Sequence, residues 1–325
     1  LRRAAADLID GVLALDKPLG LSSNLALQKA RRLLQARKAG HTGTLDPLAS
    51  GLLPLTFGEA TKFSADLLDA DKEYQATLEL GVITSTADAE GVVLERRAVE
   101  VTRAQLEAVL RRFVGPQQQV PPMHSALKHA GRPLYELARR GLEVERASRS
   151  VCISRLALVE WDEHRPRIEV ECSKGTYVRV LAQDIGAALG CGAYLQALRR
   201  TRVGHLRLAQ ATSLTELERL ELAARRQMLL PVDLLLASLP MVTLEGEAAA
   251  RFGHGQRVAL AAGGAQAPVR AATAAADEPR PELERMRVYD ALGRLMGVAR
   301  ASAGWLEPTR LVAQGGADEA AARSN

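Results

Sequence analysis

One segment of the chain concentrates unusual chemistry: Gly40-His41-Thr42-Gly43-Thr44-Leu45-Asp46-Pro47-Leu48-Ala49-Ser50-Gly51-Leu52-Leu53-Pro54. Its glycines let another backbone approach closely. Asp46 precedes a proline, which biases the aspartate's own backbone toward an extended conformation. A carboxylate presented from such a loop can serve as a nucleophile or a base. It can equally be a turn aspartate bonded to its own backbone, a common use of this residue type. Local chemistry leaves both readings open.

Other chemistries with recognisable signatures are missing. The chain has no P-loop, no dinucleotide-binding glycine fingerprint, no H-E-x-x-H and no nucleophile elbow. The six histidines, His41, His124, His129, His164, His205 and His254, lack metal-ligand spacing. His124 and His129 are five apart, but no cysteine lies near them. The three cysteines, Cys152, Cys172 and Cys191, are odd in number and form no C-x-x-C, which fits a reducing cytoplasm better than a disulfide framework. Zinc enzymes and nucleotide-cofactor enzymes fall in the ranking accordingly.

The elements that must position Asp46 are partly legible. Gly11-Val12-Leu13-Ala14-Leu15 reads as a buried strand ending at the turn Asp16-Lys17-Pro18-Leu19-Gly20. Ser22 and Ser23 are candidate caps for a helix with Leu25, Ala26, Ala30, Leu33 and Leu34 at helical spacing. Residues 40–63, rich in Gly, Thr and Pro, are expected to be loop. Tyr74, Ala76, Leu78 and Leu80 alternate as in a strand. Thr102-Arg103-Ala104-Gln105 is a capping box opening a helix that Gly115-Pro116 stops. Residues 116–150 read as a long polar insertion around one short helix, Leu134 to Arg140. Cys152 to Val159 and Ile168 to Cys172 look like paired strands. Val178 to Leu189, and then Tyr194 to Arg200, are expected to be helical. Ser213-Leu214-Thr215-Glu216 is a second capping box, opening a helix to about Gln227. The irregular alternation of strands and helices fits an α+β or mixed fold.

A boundary is expected near Leu239-Pro240. Beyond it Val258 to Leu260, Met286 to Tyr289 and Leu295 to Ala299 read as short strands, the last two joined by a turn at Asp290-Ala291-Leu292-Gly293. The Ala-rich stretch 261–282 reads as a flexible loop and residues 314–325 as a disordered tail.

With 325 residues the chain is long enough for about two domains. Hydrophobic residues make up 47% and charged residues 25%, a globular balance that excludes a disordered or collagen-like chain. Lys+Arg number 43 against 38 Asp+Glu, a net charge of +5, which leans weakly toward a polyanionic partner. Residues 1–10 start basic, but Asp7 and Asp10 break any apolar stretch, so no secretory signal is expected. The most apolar stretch, Met228 to Val242, is cut by Pro231, Asp233 and Pro240, so no membrane span is expected. The reading is a cytoplasmic protein without a membrane partner, expected to be a monomer.

The segment Gly40 to Gly51 closely resembles the catalytic motif of the TruB family of bacterial tRNA pseudouridine-55 synthases. Further stretches resemble that family in the same order: Gly11 to Ser23, Asp71-Lys72-Glu73-Tyr74, Gly81 to Gly91, Pro121 to Lys128, and Lys174-Gly175-Thr176-Tyr177-Val178-Arg179. The resemblance covers about residues 10–235. It implies an α+β pseudouridine synthase fold with a mixed, mainly antiparallel central sheet. It also implies a catalytic domain over residues 1–240, with an RNA-binding thumb insertion at about 116–150. A small β-rich, PUA-like RNA-binding domain over 241–313 is implied as well, and a generic small β domain is the alternative for that region.

Residue roles follow from the same resemblance. Asp46 matches the essential aspartate. Tyr74 matches the tyrosine that stacks on the target base and is placed to take the proton from C5, and Arg179 the arginine that pairs with the aspartate. His41 matches a histidine associated with extruding the target nucleotide, and Lys17 a lysine lining the site in a structural role. Tyr177 belongs to the arginine motif, and Leu198 to a stretch that helps close the pocket. Arg199, Arg200 and Arg202 are candidate phosphate contacts, or ordinary surface arginines.

The implied reaction isomerises uridine to pseudouridine in the T-arm loop of tRNA. A C–N glycosidic bond breaks and the ring rejoins the ribose through C5. No atom is lost and no redox change occurs, so the reaction calls for no metal or cofactor. It calls for a carboxylate near the sugar C1′ and C2′ and the base C6, and the sequence leaves ribose attack, C6 addition and a glycal route open. The base must first be flipped out of folded RNA. The rival readings are a family member acting on another RNA, guided or not, and an RNA chaperone that needs no chemistry.

Overall fold

The computed structural model describes residues 9–125, 127–129, 131–260, 265–266 and 284–313. The tail at 314–325 and nearly all of the Ala-rich stretch at 261–282 lie outside the described residues.

The chain opens with β1 (Gly11–Lys17), α1 (Ser23–Leu33), β2 (Ala39–His41) and β3 (Ala49–Phe57). A 3-10 turn over Gly58–Phe63 leads into α2 (Ser64–Leu68) and β4 (Lys72–Leu80). A small hairpin of β5 (Val82–Thr84) and β6 (Val93–Arg96) precedes α3 (Arg103–Arg112) and β7 (Gly115–Gln119). The insertion carries β8 (Lys128–His129), β9 (Arg132–Pro133) and α4 (Leu134–Ala138). Then come β10 (Arg149–Glu160), β11 (Arg167–Cys172), α5 (Val178–Leu189) and β12 (Ala193–Val203). Short β13 (Leu206–Arg207) and β14 (Thr212–Ser213) lead into α6 (Leu214–Arg219) and α7 (Leu222–Gln227).

The central sheet runs β14-β1-β3-β12-β4-β11-β10-β7, with β2 added to β3 and β13 to β12. Only β1–β14 and β3–β12 are parallel, so the sheet is mixed and mainly antiparallel, as expected. One face packs α3 and α5 over Ala76, Leu78, Leu80, Ile168, Val170 and Leu195. Another core joins α1 to β1 and β3 through Ala26, Leu27, Ala30, Leu13, Leu53 and Leu55. The local helix signals hold. Ser22 caps α1, and the capping boxes at Thr102 and Ser213 both close.

Four local expectations are corrected. Tyr194 to Arg200 is not a helix but part of β12, the strand between β3 and β4. Its register slips between Leu195 and Ala197 and again between Arg200 and Arg202. Each bulge inserts one residue, so inward positions fall three apart and imitate helical spacing. Residues 40–63 are not loop throughout, because β3 runs through them, buried along nearly its whole length. Pro54 obscured it. In an extended strand a residue's N–H and C=O point to the same neighbour, and the Pro54 carbonyl accepts from the Thr42 N–H at 3.1 Å. The missing N–H therefore faces the gap between the stretches of β3 paired to β12 and to β2, where no ladder bond is lost. The insertion begins not as irregular chain but as edge strand β7, paired to β10. The helix expected from Ser213 to Gln227 breaks at Leu220-Glu221, which are extended, giving α6 and α7.

After Pro240 the chain enters a separate six-stranded sheet, ordered β16-β20-β19-β18-β15-β17. It comprises β15 (Met241–Leu244), β16 (Val258–Ala259), β17 (Ala265–Gln266), β18 (Glu284–Asp290), β19 (Leu295–Ser302) and β20 (Trp305–Leu311), with α8 (Gly246–Gly253) against it. The β18–β19 hairpin turns at Asp290, as its sequence suggests. Arg285 pairs with Asp66 at 2.7 Å, Lys62 Nζ donates to the Leu311 carbonyl at 3.0 Å, and the Tyr289 hydroxyl donates to Asp233 at 2.9 Å. Among the described residues no helix is long and apolar enough to cross a membrane.

One glycine of the Asp46 segment has a clear steric reason. Gly51 lies opposite Arg200 in the β3–β12 pair, at φ +100°. A Cβ there would stand 2.4 Å from the Arg200 carbonyl oxygen and 2.8 Å from its nitrogen. The collision is with backbone, and the conformation disfavours any side chain. Gly51→Ala is therefore expected to destabilise the fold by about 3 kcal/mol or more. Thermal unfolding measures this, and a melting temperature equal to wild type would contradict the close approach.

Candidate active site

Three neighbouring strands and one helix start converge on a cleft of about 810 Å³. The loop before β3 supplies Asp46, β4 supplies Lys72 and Tyr74, β12 supplies Leu198 and Arg200, and the start of α5 supplies Tyr177 and Arg179. Strand register does the positioning, since Arg200 pairs with Tyr74 and Leu198 with Ala76 across β12 and β4.

The Asp46 loop is held at several points. Ser23 accepts from the Leu45 N–H at 2.8 Å and donates to the Leu45 carbonyl at 2.9 Å. Of the two candidate cap serines, Ser22 therefore caps α1 while Ser23, buried, grips the residue before Asp46. The Gly20 N–H donates to the Pro47 carbonyl at 2.8 Å, and the Ala49 N–H closes a turn on the Asp46 carbonyl at 3.0 Å. Asp46 does make a backbone turn, yet its carboxylate is free to face Arg179.

Arg179 is buried and forked. One nitrogen, Nη2, stands 3.0 Å from Asp46 Oδ2 and donates to the His124 carbonyl at 2.8 Å. The other, Nη1, donates to Asp88 Oδ2 at 3.2 Å. Asp88 is 2% exposed and is fixed in turn by the Thr86 hydroxyl and the Glu90 N–H. Sequence reasoning included Asp88 in the Gly81 to Gly91 stretch but gave it no role. Gln119 was missed as well. It accepts from the Tyr177 N–H at 3.0 Å and donates to the Tyr177 carbonyl at 3.3 Å, tying β7 to the start of α5.

Burial raises the Asp46 pKa, while Arg179 pulls it down and Asp88 pushes it up. The side chain is 38% exposed by area, so the burial is that of a cleft floor open on one side. Tyr74 is raised by burial, with Arg200 acting against it. Lys17 is lowered to about 8, chiefly by burial.

The remaining sequence candidates separate into two groups. Tyr177, Leu198 and Arg200 line the cleft together with Asp46, Tyr74 and Arg179. Arg149 lies over the Tyr177 ring at 5.7 Å. Lys17, His41, Arg199 and Arg202 lie outside the lining. Lys17 is wholly buried and donates to the carbonyls of Pro18 at 3.0 Å and Leu21 at 2.6 Å, which is a structural placement. His41 is half-buried on β2, and its Nδ1 has no partner in the structure. The arginine stripe does not form one basic surface. Arg199 binds Asp16 at 2.8 Å, Arg202 binds Glu171 at 2.6 Å, and Arg200 is 1% exposed inside the fold. The carboxylates on Arg199 and Arg202 come from β1 and β11, each one strand beyond the direct neighbours of β12.

The cleft is basic all the same. Its lining holds Lys72, Arg149, Lys174, Arg179 and Arg200 against Asp46 and Asp69. A carboxylate fixed by a guanidinium, a partly buried phenol and surplus positive charge suit a ligand that carries phosphate and a flat ring.

Comparison with known proteins agrees with this chemistry. Residues 31–178 match the model of the TruB family pseudouridylate synthase N-terminal domain. Residues 179–237 match that of a tRNA pseudouridylate synthase B C-terminal domain, and residues 240–312 that of the C-terminal region of pseudouridine synthase II TruB. The chain is 57% identical to tRNA pseudouridine synthase B of Dechloromonas aromatica over 94% of its length and 96% of that protein's. Against the protein of the same name from Burkholderia mallei it is 57% identical, over 96% and 97%. Among solved structures, the crystal structure of a Cbf5-Nop10-Gar1 complex matches at a TM-score of 0.70 and 25% identity, over 93% of this chain and 84% of that one.

Two outcomes follow from the geometry. Asp88→Asn and Arg179→Lys are each expected to lower kcat about 10–100-fold with little change in KM, because both loosen the fork that aims Asp46. Steady-state kinetics beside thermal melts test this, and a melting loss without a kcat loss would contradict it. The raised Asp46 pKa fixes a second sign. Its folded value lies above the unfolded one, so its stabilising contribution is present below pH 3.8 and lost as pH rises through the folded value. Asp46→Asn is thus expected to melt no lower than wild type at pH 7. The acid limb of kcat/KM should also lie above pH 3.8. A limb at or below that value would show an unraised carboxylate.

Proposed function

The chain belongs to the TruB family of pseudouridylate synthases, and we propose that it isomerises the uridine at position 55, in the T-arm loop of tRNA. Its enzyme class is RNA pseudouridine synthase. The tRNA substrate is carried over from the names of its relatives, and the T-arm position from the family resemblance of its motifs. The single observation that carries the chemistry is the Asp46 carboxylate held by Arg179 at 3.0 Å on the floor of a basic cleft shared with Tyr74.

In this reading the target uridine is flipped into the cleft, at a cost of a few kcal/mol that phosphate contacts with basic side chains offset. Arg149 and Lys174, exposed or half-exposed at the rim, are available to the backbone of the flipped nucleotide. Tyr74 offers its ring as a stacking face, and Leu198 supports the opposite wall. Asp46 attacks the ribose or abstracts a proton from it, and Arg179 keeps the carboxylate ionised and aimed. After the C–N bond breaks, the ring turns and bonds to C1′ through C5, and Tyr74 takes the C5 proton. His41, half-buried beside the Asp46 loop, supports the extruded conformation. The insertion at 116–150 grips the loop of the RNA, and the sheet after Pro240 holds more distant backbone as an RNA-binding unit.

The test uses a T stem-loop RNA and whole tRNA, with pseudouridine mapped by carbodiimide probing and primer extension. Wild type is expected to convert the uridine at position 55, and no other, in both. Asp46→Asn should bind both RNAs and convert neither. Modification at another site, or turnover by Asp46→Asn near the wild-type rate, would sink this reading.

A further inference from the structure

Arg200 has no part in the chemistry above, and its surroundings differ from those of Arg179. Arg179 is shared by two carboxylates. Arg200 is more deeply buried, at 1% exposed, and no carboxylate pairs with it among the described residues. Its Nε donates to the Leu52 carbonyl at 2.7 Å and its Nη2 to the Gly43 carbonyl at 3.3 Å. Neutral carbonyls satisfy the donors but leave the charge uncompensated. A buried cation without an anion is among the costliest placements in a fold.

Tyr74 is a further neighbour. The two residues are register partners on β12 and β4, and both line the cleft. Register partners on adjacent strands present their side chains on the same side of the sheet, so the guanidinium's charge bears on the phenol. A guanidinium only donates, so toward the phenolic oxygen it can offer only N–H groups and positive charge. Burial, the larger influence, disfavours a negative charge on the Tyr74 oxygen, and Arg200 is the main group opposing it. Two further contacts tie Arg200 to the reaction. The Gly43 carbonyl it holds lies in the Asp46 loop, and Gly51 gives up its side chain where β3 presses on the Arg200 backbone.

We propose that Arg200 is the positioning residue for proton transfer at C5: it fixes the Tyr74 oxygen toward the cleft and holds the negative charge that oxygen bears while it acts as base. The assignment rests on the reading in which Tyr74 takes the C5 proton. The step balances as follows. The phenol first releases its proton to solvent. Once C5 is bonded to C1′, the C5–H bond breaks and its proton passes to the phenolate oxygen. The electron pair forms the C5–C6 double bond and displaces the C6–N1 π pair onto N1, which takes a proton from solvent. Tyr74 ends as the neutral phenol with which it began. Arg200 changes neither charge nor bonding; it serves as the standing counterion for a transient anion.

The experiment uses the full chain and T stem-loop RNA carrying either ordinary or 5-deuterated uridine at the target position, in single turnover. Variants are Arg200→Lys, Arg200→Met, Tyr74→Phe and the Arg200→Lys/Tyr74→Phe pair, each checked by thermal melting. Replacing a buried, unpaired charge by an apolar side chain of similar length is compatible with folding. Arg200→Met is expected to fold, to react about 100-fold more slowly, and to show a hydrogen/deuterium rate ratio clearly above wild type's. Adding Arg200→Lys to Tyr74→Phe is expected to cost nothing more. Slower folded variants with the wild-type isotope ratio would overturn the assignment, and so would multiplicative losses in the double variant. Loss of the folded state in both Arg200 variants would mark a framework residue and overturn it too. These outcomes leave the functional reading standing. Absence of pseudouridine with wild type would overturn that reading and this assignment with it.

Discussion

Arg179 spreads one delocalised charge over three acceptors, Asp46, Asp88 and the carbonyl of His124. Those acceptors come from the loop before β3, the turn after β5 and the insertion after β7, so one planar group ties together three segments far apart in the chain. A point charge on a flexible stem would not specify three directions at once. Buried ion pairs add little net stability, because desolvating the charges costs about as much as their attraction returns. What the fork supplies is aim. Asp88 and His124 take up the donors that would let the guanidinium rotate, and Gln119 fixes the backbone of Tyr177 from which α5 starts. The Asp46 carboxylate is thereby held in a partly desolvated place while staying paired.

The sheet supplies the second frame. β12 lies between β3 and β4, so one strand faces the Asp46 loop on one edge and Tyr74 on the other. Its bulges turn Leu198 and Arg200 together toward the cleft side, and its close contact with Gly51 brings the two backbones nearer than side chains would permit. Basic residues on this strand that look interchangeable in the sequence have different fates. Arg199 reaches Asp16 on β1 and Arg202 reaches Glu171 on β11, while Arg200 turns inward.

Legibility followed the range of the interactions. Capping boxes at Thr102 and Ser213 involve residues three apart, and both helix starts could be read directly from sequence. Asp46, Tyr74 and Arg179 stand in distinctive local motifs, so they too could be chosen, though resemblance rather than spacing assigned their roles. β3 and β12 were hidden because their identity depends on neighbours: Pro54 is harmless only where no strand faces its nitrogen, and the bulges of β12 make a strand count like a helix. Asp88 looks like a turn aspartate among small polar residues. Its use is set by an arginine 91 residues later, beyond any local pattern.

The parallel seam between β3 and β12 also sets a clock. Ser50 and Arg199, facing each other across it, are 149 residues apart in the chain. At a synthesis rate of about 5–20 residues per second, β3 leaves the ribosome on the order of 10 s before its partner exists. β1 already covers one edge of β3 and β2 part of the other, but the stretch at Ala49 to Gly51 that β12 pairs has to wait. Over that interval a greasy strand offers unpaired backbone to any passing chain, the situation in which nascent proteins aggregate. The aspartate of the loop before β3 is likewise made long before the arginine that aims it. Until Arg179 has been made, the Asp46 carboxylate has no guanidinium to hold it.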